Sequence, residues 1–518
     1  MKSIRLFAVL LGAFLAFQFS ARAELTVASI FGDNMVLQQQ MPVPVWGWAT
    51  SNSTVTVTFA GQTKTAHADA DGKWLVKLGK VKASFESRTL VIQASDLVLA
   101  HAHTEAFAPP NSLYKFQIKT FTNILVGEVW LASGQSNMEK PVGNQPGQKP
   151  TFNAELELAA ANYPNIRIFK VEKKTAATPQ ADLIKFDGWR ECSSNSLDGI
   201  SFSAAAYFFG REIHTNLNVP VGLVESAWGG TRIEPWTPPV GFEQVASQKK
   251  FAAIKLAAAD VPDIKKIAPT KPTAIYNAMI APIAGFALRG AIWYQGESNL
   301  MGTNSDNDYL EYADKMTALV GGWRQIWGEG DFAFYFVQIA PFKYYSSKTR
   351  RANARDMLPE FWTLQSKAAR TLKHTGMAVI TDLVNNVDDI HPRDKATVGH
   401  RLALLALDKT YDKEVASESP VFEKMKIKGD KAVLSFEHAQ GGLISKDGQP
   451  LTWFEIAEAD GKFVPAEAKI VGKTVEVSST EVKVPVTVRF AWDETAQPNL
   501  ANAAGLPAEP FRTDEPNR

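Results

Sequence analysis

Along this chain the hydrophobic positions change their period twice. From Leu25 to about Thr120 apolar and polar residues alternate, with Val55, Val57 and Phe59 set between Thr54, Thr56 and Thr58, and Asp71-Gly72 preceding Trp74-Leu75-Val76. A period of two marks strands with one buried face, and Asp-Gly marks a turn, so a β-domain is predicted. Residues 101–120, which carry Pro109-Pro110, predict a loop or linker. From about Asn123 to Asp408 short apolar runs alternate with segments of helical period. The runs predict strands at 124–132, 221–227, 290–294, 332–339 and 377–383. Helices are predicted at 203–217, with Phe209, Ile213 and Leu217 on one stripe, and at 394–405. Strand and helix in alternation are the mark of a mostly parallel sheet covered on both faces. Beyond about Ser417 the β-pattern returns, with Val482, Val484, Val486 and Val488 alternating and Asp460-Gly461 as a turn. The organisation predicted is an α/β core at 121–415 between β-domains at 24–120 and 416–518, with no fixed-period repeat.

Composition narrows the partners. A chain of 518 residues, 45% hydrophobic, can bury a large core. Its 55 Lys and Arg nearly balance 54 Asp and Glu, so no global field draws nucleic acid or an acidic membrane. The start reads as an export signal over residues 1–23: Lys2 and Arg5 are basic, 6–19 is apolar, and Ala21-Arg22-Ala23 offers a cleavage site before Glu24. The apolar stretch is shorter than the roughly 20 residues that span a bilayer, and nothing later is apolar for long enough. A secreted or periplasmic protein without a membrane span is expected. The single cysteine, Cys192, excludes an internal disulfide, so stability must come from packing.

Ligands of a parallel sheet bind beyond the carboxyl ends of its strands, which directs attention to the residues following each strand. After the first comes Gly134-Gln135-Ser136-Asn137, where glycine permits a tight turn and Ser136 is either a nucleophile or a helix N-cap. The run departs from Gly-x-Ser-x-Gly because Met138 replaces the second glycine. A serine nucleophile needs an imidazole, and His391 follows the last core strand with Asp388 and Asp389 just before it as candidates to orient the ring. Those aspartates and Asp394 are equally suited to cap the next helix. His101 and His103 have no nearby ligands to complete a metal site, and His214 and His400 fall inside helices. No metal or cofactor is expected. Two further strand ends carry Trp228-Gly229-Gly230-Thr231 and Gln295-Gly296-Glu297-Ser298-Asn299. Candidate oxyanion donors are the backbone N–H groups of Ser136 and Gly230 and the Gln295 amide, with Asn137 as a further oxyanion or substrate group. Glu297 is a candidate to orient His391 or bind substrate hydroxyls, and Trp228 and Trp236 to stack on a flat face of a substrate, which for a sugar ligand would be its ring.

The ordered runs Val129–Met138, Ser226–Thr231 with Glu234 and Trp236, Trp293–Ser298 and Asp389–Lys395 resemble the sialate O-acetylesterase family, a branch of the SGNH hydrolase superfamily. The flanks match as well, at Gly32–Gln38, Val45–Trp48, Leu500–Pro507 and Pro510–Arg512, so the resemblance covers essentially the whole mature chain. It implies a three-layer α/β/α core that removes acetyl groups from sugar hydroxyls without a cofactor, with Ser136 as nucleophile, His391 as base, and O-acetylated sialic acid as substrate. The superfamily spacing of Asp three residues before His selects Asp388; the Asp-Ile-His-Pro match selects Asp389. Glu297 or a backbone carbonyl are further orienting groups. The same motifs fit an esterase of acetylated xylan or another polysaccharide, and the two β-domains fit a carbohydrate-binding protein without turnover.

Overall fold

The computed structural model describes residues 24–98, 113–252, 254, 267–301, 308–346 and 354–514. The predicted export signal, His101, His103 and Pro109-Pro110 lie outside them. The core strands are β1 (Leu113–Gly134), β2 (Asn162–Val171), β3 (Phe186–Ser193), β4 (Val221–Ala227), β5 (Gly290–Tyr294), β6 (Ala333–Val337) and β7 (Thr375–Ala378). They lie side by side in the order β3-β2-β4-β1-β5-β6-β7, parallel except for the edge strand β3. Core helices are α1 (Ser136–Glu139), α2 (Ala204–Leu217), α3 (Glu297–Leu300), α4 (Tyr312–Trp327), α5 (Met357–Thr371) and α6 (Lys395–Lys409).

Every residue of β4, β5 and β6 is buried, because successive side chains feed opposite faces and helices cover both. Val129, Leu131, Ala291, Trp293, Phe334 and Phe336 pack with Trp323 of α4 and with Phe361 and Trp362 of α5. Their neighbours Trp130, Ala132, Ile292, Tyr335 and Val337 pack instead with Phe209 and Ile213 of α2 and Leu402 and Leu405 of α6. The cap residues lie where the pattern placed the helix starts: Ser203 Oγ accepts from Ala206 N–H at 3.1 Å, and Asp394 Oδ1 from Thr397 N–H at 2.9 Å. No helix among the described residues is long and apolar enough to cross a membrane.

Three sequence expectations change. Residues 113–120 are not linker but the first part of β1, paired antiparallel with Ser84–Val98, so the expected boundary at 120/121 falls inside one strand. The strand expected at 377–383 ends at Ala378, and the chain leaves the sheet before Asp382. In the C-terminal part, the Val482–Val488 alternation yields strand only at Thr487–Phe490; Pro485 interrupts it, and Val484 and Val486 are exposed. That part holds two four-stranded sheets and its own core around Phe422, Leu434, Val475, Phe490 and Phe511.

Candidate active site

The ends of β4, β1 and β5 lie together, Gly134 pairing with Ala227 on one side and Tyr294 on the other. Gly134 has φ 137°, and a Cβ there would stand 2.2 Å from the Tyr294 carbonyl oxygen, so only glycine lets the chain leave the sheet at this point. Gln135 N–H then donates to that same carbonyl at 2.9 Å, and α1 starts at Ser136. Gln135 and Asn137 point into the protein and are buried; Ser136 between them is only partly covered.

His391 approaches from the segment that follows β7, with Nε2 2.9 Å from Ser136 Oγ. Its other ring nitrogen, Nδ1, is 3.9 Å from Asp389 Oδ1, an electrostatic rather than a hydrogen-bond distance, and the same oxygen accepts the His391 backbone N–H at 3.0 Å. Asp388 is turned away: its carboxylate lies at the surface, 3.0 and 3.1 Å from Lys343 Nζ. Of the two aspartates, Asp389 is the one beside the ring.

The third loop is placed differently from its sequence reading. Gln295 is wholly buried, and its Nε2 faces Gln135 Oε1, Thr231 O and Asn299 Oδ1 at 3.1, 3.2 and 2.8 Å, so the amide is committed to the protein and is not an oxyanion donor. Asn137 is likewise spent. Its Nδ2 donates to Glu297 Oε1 and, at 3.0 Å, to the Ile390 carbonyl, while Oδ1 accepts from Lys395 Nζ at 2.7 Å. Glu297, 1% exposed, meets Asn137 rather than the imidazole and is too deep to reach a sugar. Trp236 is core, packed edge-on to Trp293 with its Nε1 on Thr231 Oγ1 at 3.0 Å; Trp228 stays half-buried beside Gly229.

What remains open to a substrate is backbone. Gly229 donates its N–H to Glu139 Oε2 at 2.7 Å, and a Cβ on it would come within 3.1 Å of Ser136 Cβ. Gly230, at φ +75°, is exposed, with nothing within 4 Å of where a Cβ would project. Among the described residues, no protein acceptor is found for the N–H of Ser136 or of Gly230. One of these donors belongs to Ser136 itself and the other follows Gly229, the residue packed against Ser136, and unpaired backbone N–H groups are what an oxyanion hole requires.

Sequence reasoning missed the groups behind Ser136. Gln135 Oε1 takes N–H groups from Gln295 and Ser298 and so ties the first loop to the third; its place beside Ser136 was the only signal. Lys395 is fully buried, over the Tyr294 ring at 4.7 Å, and burial lowers its ammonium to about 7. Burial similarly brings Lys140 down to about 8 and pushes the Glu297 carboxyl up. Low dielectric disfavours each charged form.

A parallel sheet covered on both faces, with a Ser-His contact at its carboxyl edge, is an arrangement found in hydrolases of the α/β class. The family model for the carbohydrate esterase, sialic acid-specific acetylesterase, matches residues 126–408. The sialate O-acetylesterase of Pongo abelii is 32% identical over 421 residues, covering 75% of each chain, and that of Homo sapiens is 31% identical over the same length and shares. Among solved structures, a carbohydrate acetylesterase from Xanthomonas citri superposes with a TM-score of 0.78 at 34% identity, covering 94% of this chain and 99% of the other. The chain belongs to the sialic acid-specific acetylesterase family of carbohydrate esterases.

Proposed function

We propose that this esterase removes O-acetyl groups from sugars by acyl transfer through Ser136, on an SGNH-type core. The observation that carries the reading is the 2.9 Å contact between His391 Nε2 and Ser136 Oγ. Oγ attacks the acetyl carbonyl carbon as its proton passes to Nε2, and the tetrahedral oxyanion is met by the N–H groups of Ser136 and Gly230. Collapse breaks the bond to the sugar oxygen, which takes the proton from Nε2 and leaves as the free hydroxyl. Water then attacks the acetyl-enzyme, gives a proton to Nε2 and releases acetate as Ser136 is restored. Asp389 stabilises the imidazolium that forms in each step.

O-acetylated sialic acid is the substrate supported by the names of the mammalian relatives. One observation favours a second reading, an uncharged acetylated polysaccharide such as xylan. Arg232, the cation on the Gly229-Gly230 loop, is held by Glu234 at 3.0 Å and by Asp308, which leaves it committed before any sugar carboxylate arrives. Acetate release from O-acetylated sialic acid against acetylated xylan separates the two. The sequence of residues 1–23 supports export to a periplasm or beyond. Ser136→Ala is expected to abolish hydrolysis of 4-nitrophenyl acetate and leave the thermal unfolding midpoint in place; retained turnover overturns the mechanism.

A further inference from the structure

Among the described residues the C-terminal β-domain supplies no group to the reacting centre, yet it holds both the segment that delivers the imidazole and the loop packed against that segment. Glu494, 1% exposed, accepts the N–H of Tyr345 on Oε2 at 2.6 Å, and the N–H and hydroxyl of Ser346 on Oε1 at 2.9 and 2.6 Å. Its own carbonyl accepts from Phe342 N–H at 2.9 Å. The loop so held carries Lys343, whose N–H donates to the Val387 carbonyl at 3.0 Å and whose Nζ pairs with Asp388. Val387 and Asp388 belong to the segment that delivers His391. At the start of that segment, Lys446 of the same β-domain pairs with Asp382, which also binds Arg401 through both oxygens at 2.7 Å.

A carboxylate buried with three donors on it fixes geometry more strictly than apolar contact does, because each charge-assisted bond has a direction and leaving any one unmade is costly. Its three donors sit on one loop, and that loop's next contact is the histidine segment. We infer that Glu494 is a positioning residue for catalysis: through the 342–346 loop it sets the distance between His391 and Ser136, and the C-terminal domain serves the core as a brace. The inference rests on the reading of His391 as the base.

Glu494→Gln keeps the volume but sets an amide N–H against a backbone N–H. With 4-nitrophenyl acetate, kcat is expected to fall on the order of tenfold while KM stays within about twofold, the pattern of a misplaced catalytic group. In a His391→Ala background the same substitution is expected to leave the residual rate unchanged. Glu494→Asp, which keeps the charge on a shorter arm, is expected to lie between and decides the matter if the glutamine variant does not fold. A folded variant with the wild-type kcat, or an equal loss with and without the imidazole, overturns the brace. If His391→Ala itself keeps full turnover, the assignment of the base is what fails.

Discussion

A serine hydroxyl is a poor nucleophile at neutral pH, so in the proposed mechanism the rate depends on how well the ring beside Ser136 is held and charged. Asp389, 3.9 Å from Nδ1, is in range to stabilise the imidazolium, whereas Asp388 is neutralised at the surface by Lys343. Asp389→Asn is therefore expected to lower kcat/KM by about ten- to a hundredfold, and Asp388→Asn to stay within about twofold, both measured on a chromogenic acetate. A second effect at this scale is in stability. Lys395 holds its proton only below about 7 in the native protein but up to its ordinary 10.5 when unfolded. Between those values the unfolded chain binds a proton that the folded one does not, so this group makes stability rise with pH across the window. Lys395→Met removes that dependence. Thermal unfolding from pH 6.5 to 9 is expected to show wild type gaining on the variant as pH rises; a constant difference would refute it.

At the scale of elements, the first, third and last loops are joined behind the nucleophile by one side chain, Asn137, which spans Glu297, Ile390 and Lys395. Asn137→Leu has nearly the same bulk but strands a buried carboxyl, a buried amine and a carbonyl. The expected cost is about 3–5 kcal/mol of unfolding free energy, measured by denaturant titration, together with loss of turnover. Such joints explain which parts were legible in advance. Val221–Ala227 and Gly290–Tyr294 were read with their observed bounds because strands buried on both faces leave continuous apolar runs. The contact of Ser136 with His391 was legible because ligands of a parallel sheet bind beyond its strand ends, which singles out the residues that follow them. What a buried amide faces is decided by the other loops, not by its neighbours in sequence, which is why Gln295 and Asn137 looked free to meet a substrate. The burial of Lys395 left no local sign, because the amide that holds it lies 258 residues earlier in the chain. The valine alternation misled because one proline outweighs a correct period.

Taken whole, the molecule hangs on β1. Its first part pairs with Ser84–Val98, its last part lies between β4 and β5, and Ser136 follows two residues after it. The strand behaves as a ruler with its zero in the N-terminal sheet and its final mark at the reactive hydroxyl. Adding or deleting one residue inside it would either force a bulge or turn every side chain beyond the change to the opposite face. The β-layer and the hydrolase core are thus poor subjects for modular exchange. A graft that swaps the N-terminal layer must inherit the strand's phase along with its pairing partner, or supply a bulge that restores that phase before the serine.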